Sequence, residues 1–424
     1  MYKCSNYNVI VDQGINSYLL FNTLTQGLTE IDEETKKDLM ELNSNSKYKN
    51  QFIKFGYWIN EDRSEIDELK FKHRSSKFNN KELRLTLKTT NNRNFLCKYC
   101  YHPHESKTLT NDNIQSIFTF ISNEMKHGKD SLSMHYFGGE PLLNFNAILK
   151  IDTYLKENKI KNKSIMTTNG YLLTDTIIMG IKGTNIKTLQ ITVDGTRETH
   201  NNTRPLRDGS GTFDVIVNNI KKVLELTDDV NIIVRFNVNK ITEPKIDEFF
   251  KFLTDNNLTS ERLSLRFQET QDCNTEYTDE KIYYKDREEF SKILLDINAK
   301  LIDFGQKVGR HGARNVYCAY DEIDCHTINS NLELERCSSS DRVIGKIDAN
   351  GVVNYNKNMD KKMLREPFEE KECIECKVLP MCMGGCAFLK DLGHDKCLHD
   401  KYILDALIKQ YKESAEKCAI ESYV

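Results

Sequence analysis

The sequence predicts an α/β protein whose centre is a parallel sheet, either doubly wound or an incomplete β/α barrel of six units. Three observations point there. Short β-branched runs recur from residue 83: "LRLTLK", "LSMHYF", "KSIMTT", "TLQITV", "NIIVRFNV" and "RLSLRF". Stretches of helical period separate them, among them "NDNIQSIFTFISNEMK" and "GTFDVIVNNIKKVLEL". The residues that break this alternation, "TTNNRNFLCKYC", "GGEP", "TNG" and "DGTRETHNNTR", follow the first four runs in turn. All four loops therefore fall on one rim, at the strands' carboxyl ends, where such sheets place their ligands.

At 424 residues the chain exceeds one ordinary core, and three parts are expected. Residues 1–80 read as a small α+β module. Within it "SYLLFNTLTQGLTEI" suits a hairpin, "DEETKKDLMEL" a capped helix, and "FIKFGYWINEDRSEIDELKF" a strand followed by a helix. The polar "KHRSSKFNNK" at 72–81 reads as a linker. Residues 81–310 carry the β/α alternation. Residues 311–424 form a cysteine-rich segment with hairpin signals such as "GKIDANGVVNYN", closed by a helix over 400–417. Nine of the thirteen cysteines lie after residue 315, which suggests a region organised by metal rather than by a large apolar core.

Composition narrows the function. A net charge of −3 gives no global field that would gather nucleic acid, so a small molecule or peptide is the expected partner. No basic, apolar leader and no apolar run of membrane-spanning length occurs, which points to the cytoplasm. Cysteines in that compartment stay reduced and available to metal.

The run "CIECKVLPMCMGGC" sets Cys373, Cys376, Cys382 and Cys386 at C-x2-C-x5-C-x3-C, with Cys397 beyond and Cys337 upstream. Thiolates so spaced can wrap an iron–sulfur cluster or zinc. Cys97 and Cys100 form a second, shorter pair, and the nearby His102 and His104 keep a Cys2His2 zinc knuckle open. In "GGEP", Gly138 and Gly139 admit close approach of a ligand while Glu140 can accept from an ammonium group. "TTNG" and "TVDGTRETHNNTR" add hydroxyls, amides and a carboxylate suited to ribose or amino-acid groups. Cys273 and Cys318 are candidates for a substrate-side group or a structural one.

Taken in order, "C-x-Y-C-Y", "GGEP", "TNG" and "TVDG…H…R" resemble the landmarks of the radical S-adenosylmethionine superfamily. The later cysteine run resembles the SPASM region of its peptide- and protein-maturing branch. The resemblance covers about residues 83–400 and implies a partial (β/α)6 TIM-like barrel, a SPASM-like auxiliary-cluster region and an oxidoreductase activity. The first 80 residues resemble the winged-helix-like module that holds a precursor peptide.

By that resemblance three cysteines bind a [4Fe–4S] cluster whose open iron takes S-adenosylmethionine. Reductive cleavage then yields a 5′-deoxyadenosyl radical that modifies a ribosomally made peptide, for example by a cross-link. Gly138, Gly139 and Glu140 would meet the methionyl amine, Thr168, Asn169, Thr192 and Asp194 the nucleoside, and Arg204 the carboxylate. Cys373, Cys376, Cys382 and Cys397 would hold one auxiliary cluster. Cys337 and Cys386, with Cys318 or Cys325, would contribute to another. A reductant for the clusters is implied as a partner.

Two departures stand out. The family's loop is C-x3-C-x2-C, and its first cysteine falls on Arg93; a SPASM cysteine falls on Asn356. A guanidinium is a donor only and no iron ligand. Alongside the maturase reading stand a cluster-deficient relative that binds a precursor peptide or partner without radical chemistry, and a zinc-binding protein.

Overall fold

A computed structural model describes residues 1–78, 81–100, 106–271, 282–306, 308–309 and 311–421. Two compact units divide the chain, and neither is continuous in sequence. One joins residues 80–284 to 323–364; the other joins 1–79, 285–322 and 365–424.

In the second of these, the terminal unit, the chain begins with β1 (Tyr2–Cys4), β2 (Asn8–Gly14), β3 (Ser17–Asn22) and β4 (Leu28–Ile31), and β5 (Trp58–Asn60) follows two short helices. β2, β3 and β4 form an antiparallel sheet with β4 on its edge, and β1 pairs with β5. Asp32 caps the helix Glu33–Met40 by accepting from the Thr35 amide. Trp58 is buried with Phe52, Tyr57, Leu20 and Leu39, and its indole N–H donates 2.9 Å to the Leu39 carbonyl.

One expectation fails in this unit. The stretch read as a linker over 72–81 is largely helical, since the helix Glu65–Phe78 runs through it. Its polar side chains misled, because two of them are buried and hydrogen-bonded. His73 meets the Asn315 carbonyl at 2.8 Å and Lys77 donates to that of Arg365 at 2.6 Å, while the exposed Arg74 grips Glu366 with two bonds. The cysteine-rich segment shares an apolar core with the N-terminal strands. Val378, Met381, Cys382, Leu398, Leu407, Ile408 and Tyr411 pack with Val11, Leu19 and Phe21 of β2 and β3. Apolar burial thus helps to hold this region beside its cysteines.

The sheet unit is built on one ten-stranded sheet in the order β11-β10-β9-β8-β7-β6-β12-β13-β14-β15. β6 (Glu82–Thr90), β7 (Ser131–Gly138), β8 (Asn162–Thr168), β9 (Ile186–Thr192), β10 (Asn231–Val238) and β11 (Leu263–Glu269) are all parallel. These are the six expected runs, with helices between them. β12 (Cys325–Ile328) adds in parallel to the free side of β6, and β13 (Glu333–Cys337), β14 (Ser340–Ile347) and β15 (Val353–Tyr355) continue antiparallel. Part of the cysteine-rich segment thus extends the barrel sheet. Its attachment includes a buried ion pair, Lys88 on β6 with Glu335 on β13 at 2.5 Å.

Among the described residues no helix is long and apolar enough to cross a membrane.

The single tryptophan reports on the terminal unit. Trp58→Ala removes a large buried ring and leaves the Leu39 carbonyl only the weak Cys4 thiol donor, so it should destabilise the unit by about 3–5 kcal/mol. Urea unfolding followed by circular dichroism measures the shift in midpoint.

Candidate active site

At the carboxyl ends of β6 to β10 lies a cavity of about 890 Å³, part of it open to solvent. The loop after β6 supplies Arg93, Phe95, Cys97, Tyr99 and Cys100; the end of β7 supplies Phe137, Gly138 and Gly139. Thr167, Thr168 and Asn169 come from β8, Thr192 from β9, and Arg235 and Asn237 from β10, with Arg204 beside them.

Backbone pairing sets this geometry. The Gly139 amide donates to Thr90 O and that of Glu140 to Asn92 O, at 2.9 and 2.8 Å. A Cβ on Gly139 would stand 2.3 Å from the Asn92 carbonyl oxygen, so only glycine allows these two loops to close on each other. The cysteine loop is pinned from the other side, where the Leu96 and Lys98 amides donate to Pro205 and Thr203 carbonyls at 2.9 and 3.0 Å.

Six of the eight residues expected at the cofactor line the cavity: Gly138, Gly139, Thr168, Asn169, Thr192 and Arg204. Glu140 and Asp194 instead sit behind it, with no solvent exposure. Glu140 accepts from the Thr168 hydroxyl at 2.7 Å and from the Asn169 and Leu142 amides at 2.8 and 3.1 Å. Asp194 accepts from the Tyr99 hydroxyl and from the Asn237 amide at 2.8 Å. Arg204 donates 2.7 Å to that same Tyr99 oxygen. Burial pushes both carboxyls above their ordinary range, against the pull of these donors and of Arg204.

Sequence reading missed Phe95, Tyr99, Phe137, Thr167, Arg235 and Asn237 as lining residues. For Arg235 and Asn237 a signal existed, because in "NIIVRFNV" they are polar residues two apart in an otherwise apolar strand.

At the position of the expected third thiolate, Arg93 is buried and its Nη1 donates 2.8 Å to Cys100 Sγ. Desolvation pushes the Cys97 thiol up to about 11, although Arg204 and Arg93 pull it down. Two thiols and a guanidinium do not provide the three thiolates of a radical SAM cluster. His102 and His104, of the alternative zinc knuckle, lie outside the described residues, as does Cys273.

Cys373, Cys376, Cys382 and Cys397 line one cavity of about 400 Å³ in the terminal unit, beside Lys396 and Lys401. Burial raises the Cys373 and Cys397 thiols and pushes Cys382 up to about 11. Among the described residues no three such ligands converge tightly enough for a single metal ion. Cys386, though close in sequence, does not line the cavity. Of the other candidates, Cys318 belongs with Cys386 to the terminal unit and Cys325 and Cys337 to the sheet unit. Asn356 caps the helix Lys357–Met363, accepting from the Asn358 amide and donating to Val343 O at 2.9 and 3.0 Å.

A further cavity, of about 760 Å³ and also partly open, lies beside the edge strand β4. Thr29, Glu30 and Ile31 form one wall, with Tyr48, Phe52, Phe55 and Tyr57 opposite.

Residues 87–253 match the Radical SAM superfamily. They are a radical SAM domain. The radical SAM cyclopropyl synthase TigE of Paramaledivibacter caminithermalis is 26% identical over 444 residues, spanning 90% of this chain and 89% of that protein. A cysteine-type anaerobic sulfatase-maturating enzyme of Clostridium novyi is 21% identical over 374 residues, spanning 80% and 96%. The fold is that of solved radical SAM enzymes. Native anSMEcpe with bound AdoMet and the Cp18Cys peptide matches with a TM-score of 0.61 at 18% identity, over 80% of this chain and 98% of that one. Streptococcus suis SuiB bound to the precursor peptide SuiA matches with a TM-score of 0.55 at 16% identity, over 94% and 99%. The radical SAM domain thus has relatives that modify peptides and proteins.

Inside the radical SAM barrel, His135 bonds the Thr167 hydroxyl at 2.8 Å, and burial pulls its pKa down to about 4. A histidine with a folded pKa below its unfolded value contributes stability above pH ~6.5 that is lost as pH falls toward 4. Between pH 7 and 4.5 this group should account for about 2–3 kcal/mol of acid destabilisation. His135→Gln should flatten that part of the stability profile, read as urea midpoint against pH.

Proposed function

We propose that this radical SAM protein binds a ribosomally made precursor peptide and an S-adenosyl ligand without the reductive cleavage characteristic of its family. One observation carries the reading: the buried Arg93 guanidinium, bonded to Cys100 at 2.8 Å, stands where a third iron ligand is needed. A cation there supplies no lone pair to iron. The pocket around it still offers what an adenosyl amino acid requires. Thr168, Asn169 and Thr192 can meet the ribose and base, the Gly138–Gly139 backbone the methionyl end, and Arg204 the carboxylate.

Peptide binding is supported by the groove beside β4. An edge strand offers unpaired backbone groups to an extended peptide, and Tyr48 and Phe55 give apolar contact to its side chains. SuiB and anSMEcpe have each been solved with a bound peptide, and the same class of ligand is proposed for this chain. Residues 1–80 would act as the precursor-recognition module.

A second reading, a maturase that installs a cross-link or related modification, is favoured by the four-thiol cavity. Cys373, Cys376, Cys382 and Cys397 would hold a [4Fe–4S] cluster, and such a cluster supplies an electron-transfer centre of little use to a pure binding module.

The two readings separate in one assay. The chain is reconstituted anaerobically with iron and sulfide, reduced, and given S-adenosylmethionine. The natural protein should retain about four irons, lost in Cys382→Ala, and form no 5′-deoxyadenosine above background. Arg93→Cys should roughly double the iron and form 5′-deoxyadenosine. Reductive 5′-deoxyadenosine formation by the natural chain would establish the maturase instead.

A further inference from the structure

The groove beside β4 in the terminal unit has two unlike walls. Two carboxylates, Glu30 and Asp32, line it on the strand side. Both are already engaged. Glu30 accepts from Lys412 at 2.6 Å and from the Ser17 hydroxyl at 2.8 Å, and Asp32 accepts from the Thr35 amide at 2.8 Å.

The opposite wall is drawn from residues 48–57. Residues 42–60 around it hold three lysines, Lys47, Lys49 and Lys54, and no aspartate or glutamate. Two of these ammonium groups stand at rings that line the groove. Lys47 Nζ lies 5.0 Å from the centre of the Tyr48 ring, and Lys54 Nζ lies 5.8 Å from that of Phe55. Both lysines are exposed, and among the described residues neither ammonium forms an ion pair or a hydrogen bond. The charge of Lys47 reaches Asp32 and Asp38, yet each of these is bonded to another donor, the Thr35 amide and the Asn43 side chain. The acids of the groove are therefore occupied while its bases are not.

The edge of β4 offers main-chain groups to any sequence, so the choice among peptides falls to the side walls. We infer that this groove selects acidic peptides: an extended segment whose apolar side chains rest on Tyr48 and Phe55 and whose flanking aspartates or glutamates meet Lys47 and Lys54. This names the class of peptide and rests on the peptide-binding reading. A flexible ammonium reaches carboxylates in more than one register, and a cationic peptide meets like charge at both positions.

Fluorescence anisotropy on the full chain at low salt tests this with fluorescein-labelled peptides Gly-X-X-Leu-Thr-Leu-X-X-Gly, where X is glutamate, glutamine or lysine. The natural protein should bind the glutamate peptide about tenfold tighter than the glutamine peptide, the effect of two exposed ion pairs, and the lysine peptide most weakly. Lys47→Gln combined with Lys54→Gln should bring the glutamate and glutamine peptides to equal affinity. Lys47→Glu combined with Lys54→Glu should reverse the order in favour of the lysine peptide. Circular dichroism and Trp58 fluorescence check that both variants fold. Equal binding of the glutamate and glutamine peptides by the natural protein, or an acid preference that survives in the variants, overturns the acidic selectivity alone. Binding of none of the three peptides overturns it together with the peptide-binding reading.

Discussion

Two carboxylates without solvent exposure hold the rim of the sheet unit together. Glu140, at the end of β7, takes three hydrogen bonds, two of them from β8 and the residue after it. Asp194, after β9, binds the cysteine loop through Tyr99 and β10 through the Asn237 amide. Ionised groups placed out of water are costly unless donors surround them, so each must stay fully bonded for the fold to tolerate it. The consequence is structural coupling. Four strand ends and the cysteine loop cannot move independently without uncovering one of these carboxylates.

This coupling explains why the pocket keeps its shape around a changed cluster loop. The loop's backbone is fixed by bonds to Thr203 and Pro205, its tyrosine by Asp194 and Arg204, and Arg207 donates 3.0 Å to the Arg93 carbonyl. None of these ties needs a cysteine side chain at position 93. The Arg93 side chain has taken up an internal bond to Cys100 in place of one to iron.

Much of the fold was legible because the sheet unit's strands repeat one signal. "NIIVRFNV" spans β10 from end to end, and the four polar loops fall on a single rim because each follows a parallel strand. What escaped was whatever depends on contacts distant in sequence. The helix through residues 72–78 looked like a linker because nothing local reveals that Asn315 and Arg365 carbonyls wait for His73 and Lys77. The core shared by β2, β3 and residues 378–411 is hidden for the same reason. Glu140 and Asp194 were found by motif, yet their burial behind the cavity belongs to the folded sheet alone.

The placement of those carboxylates also changes what the motifs mean. In "GGEP", Gly139 permits two backbones to meet at a distance no side chain allows, and Glu140 is occupied by β8. In "TVDG", Asp194 is occupied by Tyr99 and Asn237. A chain that had abandoned radical chemistry would still lose its rim if these residues changed, because a buried carboxylate stripped of donors, or donors stripped of their carboxylate, costs about 1–3 kcal/mol for each unmet group. Persistence of the motifs is therefore required by folding as well as by cofactor binding, and they do not by themselves distinguish an active member from an inactive one. The backbone ties of the cluster loop run through Thr203, Pro205 and Arg207 and make no demand of the side chain at position 93, so that position, rather than the better-known motifs, reads out the chemistry.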